Sequence, residues 1–167
     1  SPHNPIGRVW THDELMRMAD ICEKHDVLIV ADEIHHEFVR PSYKHTCLAS
    51  LSPATAKRTI TCTSPSKTFN LAGLQLSNIF IEDKPIRRIF RTEVLNTGYS
   101  QPNSLGLFAA QAAYEKGGAW LKELLSYLES NYQKTKAFLA KRMPKARQNH
   151  SPSSFVLLLV RSCVPAR

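Results

Sequence analysis

Lys67 stands in "TSPSKTFN" (residues 63–70), among small hydroxyl residues just after the apolar, β-branched run "TITC". A surface lysine needs no such setting. An amine that attacks a carbonyl does, because it must be partly neutral, and desolvation or a nearby positive charge favours that form. Other unusual polar residues are Asp32 and His35, after the run "VLIVA", and Asn4, in an "NP" turn. An amine, an acid, the short hydroxyls of Ser64 and Ser66 and an amide together suit an aldehyde cofactor that carries a pyridine ring and a phosphate. The amine would hold the aldehyde as a Schiff base. A carboxylate opposite the ring nitrogen would raise its proton affinity by charge pairing and keep the ring a strong electron sink. Hydroxyls would donate to the phosphate without bulk, and the amide to the ring's phenolic oxygen.

Each residue also has a plainer reading. Asp32 can cap a helix, His35 or His36 can be a satisfied loop histidine, Lys67 can be a solvated loop lysine, and Asn4 with Gly7 can merely shape a turn. What favours the chemical reading is position. In open parallel sheets, ligands bind beyond the carboxyl ends of the strands, and the polar residues fall at those ends.

The elements that must hold them are legible in the pattern. "THDELMRMADICEKHD" opens with Thr11 and has Glu14 three residues on, a capping box for a helix whose apolar face carries Leu15, Met18, Ala19 and Cys22. "VLIVAD", Thr59 to Cys62, and "SNIFI" (Ser77 to Ile81) are short continuous apolar runs, as expected of strands buried on both faces of a parallel sheet. From Pro85 the pattern turns helical: 85–96, then 105–116, then about 119–142 after Gly117 and Gly118. The expected class is α/β, a three-layer, mostly parallel sheet with flanking helices. Residues 1–143 form a large domain with its trailing helices, the Pro- and Ser-rich 144–154 a linker, and "FVLLLV" within 155–167 the start of a second, small domain. A strand with so little chain after it reads as a fragment of a longer protein.

Composition narrows the class. With 43% hydrophobic and 22% charged residues the chain is globular in make-up, and it has no apolar stretch of membrane-spanning length and no secretory leader pattern. The four cysteines lack paired C-x-x-C spacing, which points to thiols in a cytoplasmic setting, and the histidines lack metal-ligand spacing. A net charge of +8 raises the question of nucleic acid, but the basic runs "KPIRRIFR" and "KTKAFLAKRMPKAR" have apolar residues at helical spacing and read as solvated helix faces. Neither a nucleic-acid nor a membrane partner is expected.

"NPIG", "VADEIHHEF" and "CTSPSKTFNLAGLQLSNIFI", in that order, with 28 residues from Asn4 to Asp32 and 35 from Asp32 to Lys67, resemble the pyridoxal-phosphate-dependent fold type I superfamily of aspartate aminotransferase architecture. The likeness runs nearly the whole chain and is strongest to the bacterial carbon–sulfur β-lyases of the MalY and PatB type. The resemblance implies pyridoxal 5'-phosphate bound covalently at Lys67, Asp32 on the pyridine nitrogen, Asn4 on the ring oxygen, and Ser64 and Ser66 at the phosphate. It implies a homodimer at full length, with the loop 99–103 a candidate for reaching the partner. The implied reaction is β-elimination from L-cystathionine or related cysteine S-conjugates, with Lys67 as anchor and base.

Two positions choose the branch. Where aminotransferases commonly carry a tyrosine three residues after the aspartate and an arginine eight after the lysine, this chain has His35 and Gln75. His35 is therefore a further candidate for the cofactor, and the loss of a bidentate phosphate partner at Gln75 leaves that site to other donors. An aminotransferase on the same scaffold is the rival expectation. A second is an inactive fragment, since the family's substrate-carboxylate arginine belongs to the small domain.

Overall fold

Thr11 opens the first helix, α1 (His12–Lys24), as the capping box requires: Glu14 N–H donates to Thr11 Oγ1 (3.3 Å) and Thr11 N–H to Glu14 Oε2 (2.9 Å). Its apolar face buries Leu15 and Ala19. The computed structural model describes residues 1–99 and 101–143, together with the backbone of 147–148 and 158–159. After α1 the chain turns at Asp26 (φ 51°) into β1 (Ile29–Asp32). Pro53 at a helix start, capped by Ser52 Oγ accepting Thr55 N–H (3.0 Å), gives the short α2 (Pro53–Lys57), which leads into β2 (Thr59–Thr63).

β1 and β2 pair in parallel, with Ile29 opposite Thr59 and Asp32 opposite Cys62. Past β2 come the one-turn helix α3 (Pro65–Thr68), a 3-10 turn at Ala72–Leu74, and β3 (Asn78–Ile81). β3 returns antiparallel to β2, Ile60 opposite Ile81 and Thr63 opposite Asn78, and the strand order is β1-β2-β3. The sheet is mixed, against the parallel direction expected for its third strand. A run of branched apolar residues reads the same in either direction, so composition says nothing of strand sense.

Burial follows that order. Central β2 is deepest, with Thr59 2% and Thr61 5% exposed, whereas Val30 in β1 and Phe80 in β3 are 65% and 60% exposed. The expected burial on both faces is met on one face of the middle strand, where Thr59 and Thr61 are buried while Ile60 and Cys62 opposite are half-buried, and fails at the outer two strands.

Asp83 caps α4 (Lys84–Asn96) by accepting Ile86 N–H at 2.9 Å, and Gly98 (φ 77°) follows its end. Asn103 caps α5 (Ser104–Lys116), and Gly117 separates it from α6 (Gly118–Arg142), whose Tyr132 and Leu139 are buried. No helix among the described residues is long and apolar enough to cross a membrane. Two short strands, β4 (Arg147–Gln148) and β5 (Leu158–Leu159), pair antiparallel. The rest of the expected linker, 144–154, and of the expected small-domain start, 155–167, lies outside the described residues.

Candidate active site

The lysine turn is built from its neighbours. Ser64, in extended backbone (φ −164°, ψ 146°), accepts Ser66 N–H on its Oγ (3.0 Å) and donates its own proton to the Leu76 carbonyl (2.6 Å). Pro65 then enters at the favoured first helical position. A helix of four residues is far below the length that sustains itself, so α3 depends on tertiary support. Phe69 supplies part of it, meeting Tyr114 edge-on (centroids 6.2 Å) and Trp120 at 5.8 Å. Gly117 makes that possible, because a Cβ there would overlap the Phe69 ring and the Ala113 carbonyl. Ser64, Pro65 and Thr68 are buried, and Lys67 between them is exposed.

The acid lies at the carboxyl end of the neighbouring strand. Asp32 Oδ1 accepts Ile34 N–H (3.1 Å), which fixes the turn out of β1, and the residue is exposed. Glu33, next along, is 5% exposed and holds the crossover against the strand end, accepting Leu48 N–H (2.9 Å) and pairing with His45 Nε2 (3.0 Å). Burial alone would push the Glu33 carboxyl up. The hydrogen bonds from His45 and Leu48 outweigh it, and the group sits below its ordinary value.

His35 joins the two halves. It is 8% exposed, and its pKa is lowered first by burial and then by the positive charge of Lys67, against the pull of the Asp32 carboxylate. The imidazole thus feels both the amine and the acid. Asn4 is exposed in a turn closed by His3 N–H donating to the Arg8 carbonyl (2.8 Å), and this segment reaches β1 where the Ser1 ammonium donates to the Asp32 carbonyl (3.2 Å). Gln75, exposed at φ 50°, ends the 3-10 turn beyond α3.

Ser64, expected at the phosphate, is 1% exposed, and its hydroxyl here caps α3 and bonds the Leu76 carbonyl. Ser66, also expected there, is half-buried next to Lys67.

Other polar supports escaped the sequence reading: Glu33 with His45, the Thr68 hydroxyl donating to Glu37, and Arg40 with Glu129. The available signal was two further carboxylates, Glu33 and Glu37, clustered with two histidines in "DEIHHEF" just after an apolar strand. Asp32 and Glu33 also border a cavity of about 180 Å³ that reaches Trp10, Ile29 and Leu48. Larger hollows lie elsewhere, one of about 580 Å³ between Pro41 and the Leu121 and Leu125 face of α6. They do not gather an amine, an acid and an imidazole, and the site follows the chemistry instead.

The donor set fits a pyridine aldehyde at two of its three anchoring points. An exposed carboxylate with a fixed turn suits a protonated ring nitrogen, an exposed amine on a rigid turn suits the aldehyde, and at the phosphate end this chain offers Ser66.

Comparison with known proteins agrees with that fit. The family description "Aminotransferase class I and II" matches residues 1–164. The chain is 41% identical over 159 residues to cystathionine beta-lyase PatB of Bacillus subtilis, covering 95% of this chain and 41% of that protein. Among solved structures, cystalysin from Treponema denticola, which contains pyridoxal 5'-phosphate, superposes with a TM-score of 0.89 at 37% identity, covering 93% of this chain and 39% of its own. The pyridoxal-phosphate-bound C-S lyase from Staphylococcus hominis gives 0.84 at 37% identity, with coverages of 91% and 38%. The chain therefore spans about two fifths of the length of these relatives.

Proposed function

The chain belongs to the class I and II aminotransferase family, and we propose that the whole protein is a pyridoxal-phosphate-dependent carbon–sulfur β-lyase acting on L-cystathionine or related cysteine S-conjugates. One observation carries this reading: the parallel register sets Asp32 opposite Cys62, so the acid and the lysine turn that follows β2 leave the same end of adjacent strands. The name of PatB and the C-S lyase structure support the lyase branch, as do His35 and Gln75 in place of the tyrosine and arginine of the wider pattern.

Bound here, pyridoxal phosphate would supply an electron sink for negative charge at the substrate α-carbon. Asp32 would hold the proton on the pyridine nitrogen by charge pairing, Asn4 would meet the ring oxygen, and His35 would be a further cofactor contact. Lys67 would anchor the cofactor, and its Nζ would be the base that takes the substrate α-proton. The overall reaction consumes one water and gives thiol, pyruvate and ammonia. Ser64 and Ser66 would hold the phosphate end. A homodimer in a cytoplasmic setting belongs to the same reading, with the segment 99–103, whose residue 100 lies outside the described residues, as the candidate for reaching the partner.

The test uses full-length protein. Lys67→Ala should lose both the borohydride-trapped cofactor at that position and pyruvate release, and retention of both overturns the assignment. Asp32→Asn should still trap cofactor while pyruvate release falls by about a hundredfold. Pyruvate formed without a keto-acid acceptor separates the lyase from an aminotransferase.

A further inference from the structure

We propose that Glu37 is a positioning residue for Lys67, an inference that rests on the reading of Lys67 as the cofactor's anchor. The Thr68 hydroxyl donates to the Glu37 carboxylate across 31 residues of sequence. Thr68 immediately follows Lys67 and is 1% exposed, while Glu37 lies in the loop that begins at Asp32. The bond therefore ties the lysine turn to the acid's loop.

The lysine turn needs such a tie. Its four residues cannot hold a helical conformation unaided, and Ser64 secures the N-terminal side alone. On the C-terminal side, Phe69 packs against Tyr114 and Trp120, but ring contacts tolerate sliding. A hydroxyl bound to a carboxylate is stronger and more directional than a neutral pair, so it fixes the rotation of the turn and with it the direction of the Lys67 side chain. The Glu37 charge is also felt at Tyr114: burial first, and then that charge, raise the Tyr114 phenol, whose oxygen accepts from Asn78 Nδ2 (3.1 Å). The Thr68 bond to Glu37 is the tie that bears on where the amine stands relative to Asp32.

The test incubates cofactor-stripped full-length protein with pyridoxal phosphate, reduces it with borohydride, and measures by peptide mass spectrometry how fast Lys67 is labelled relative to the other lysines. Glu37→Ala and Thr68→Val should label Lys67 about tenfold more slowly than the parent chain, the scale of a small misplacement of a reacting group. Glu37→Gln and Thr68→Ser, which keep the acceptor and the donor, should restore most of the rate. Leu139→Ala, which lowers Tm by emptying a buried position on α6, should label at the parent rate. If the Glu37 and Thr68 variants match the parent, or slow no more than Leu139→Ala, the positioning role is wrong while the Lys67 reading stands. If the parent chain itself leaves Lys67 unlabelled, both fall. Should Glu37→Ala not fold, Thr68→Val decides by the same criterion.

Discussion

His35 gives the site a reporter that needs no substrate. Its imidazole is held below its ordinary pKa by burial and by Lys67, against Asp32, so removing either charge should move it in a definite direction. Lys67→Ala should raise the His35 pKa and Asp32→Asn should lower it further, both read from the His35 ring resonances in an NMR titration. A shift in neither variant would separate the three groups in space. Because its folded value is depressed, protonation of His35 costs stability as pH falls below the unfolded value of about 6.5. Residue types and spacing singled out Lys67, Asp32 and His35 as candidates, and the electrostatic surroundings of His35 include both other groups. The bond of Ser64 to the Leu76 carbonyl was not legible, because it depends on a later turn arriving beside it. The Glu37–Thr68 pair was hidden for the same reason: a loop carboxylate and a helix-end threonine 31 residues apart have no link in sequence until the fold brings them together.

Between elements, the main lock described here is Arg40, which joins the acid's loop to α6. Its Nε and Nη2 donate to the two Glu129 oxygens at 2.7 and 2.8 Å, and the guanidinium lies 3.8 Å above the buried Tyr132 ring. Hydrogen bonding to Arg40 holds the Glu129 carboxyl down at about 2, from an ordinary 4.5. A carboxyl depressed in the folded state stabilises fully above its unfolded value, and that contribution fades as pH falls from 4.5 towards 2. Urea unfolding across this window should show stability falling with pH in the parent chain and a flatter profile in Arg40→Gln. The variant should also be less stable at pH 7 by about 2 kcal/mol. Equal slopes would remove the lock from the account. The main helices were largely readable: the Thr11 capping box, Pro85 in the first turn of α4 and the glycine break each enforce a boundary locally. The sense of β3 was not readable, since it is set by how the chain returns through α3 and the 3-10 turn.

At the scale of the whole molecule, a chain of two fifths the length of its relatives shows large apolar groups at its surface. Val30, Phe80, Leu95 and Phe108 are each at least 60% exposed. Such patches mark surfaces suited to apolar contact, and no feature of composition could place them, because exposure depends on which elements lie alongside. The sharpest case is the three-stranded sheet, whose outer strands present an apolar side chain together with backbone donors and acceptors on the open side. Such rims, without a neighbouring strand among the described residues apart from the Ser1 bond to the Asp32 carbonyl on β1, suit strand-to-strand addition by further copies of the chain. Concentrated, cofactor-free chain should therefore seed thioflavin-positive fibrils after a lag, and Val30→Lys with Phe80→Lys, each placing a charge on a rim, should lengthen that lag severalfold. Unaltered lag times in the double variant would show that growth starts somewhere other than the sheet.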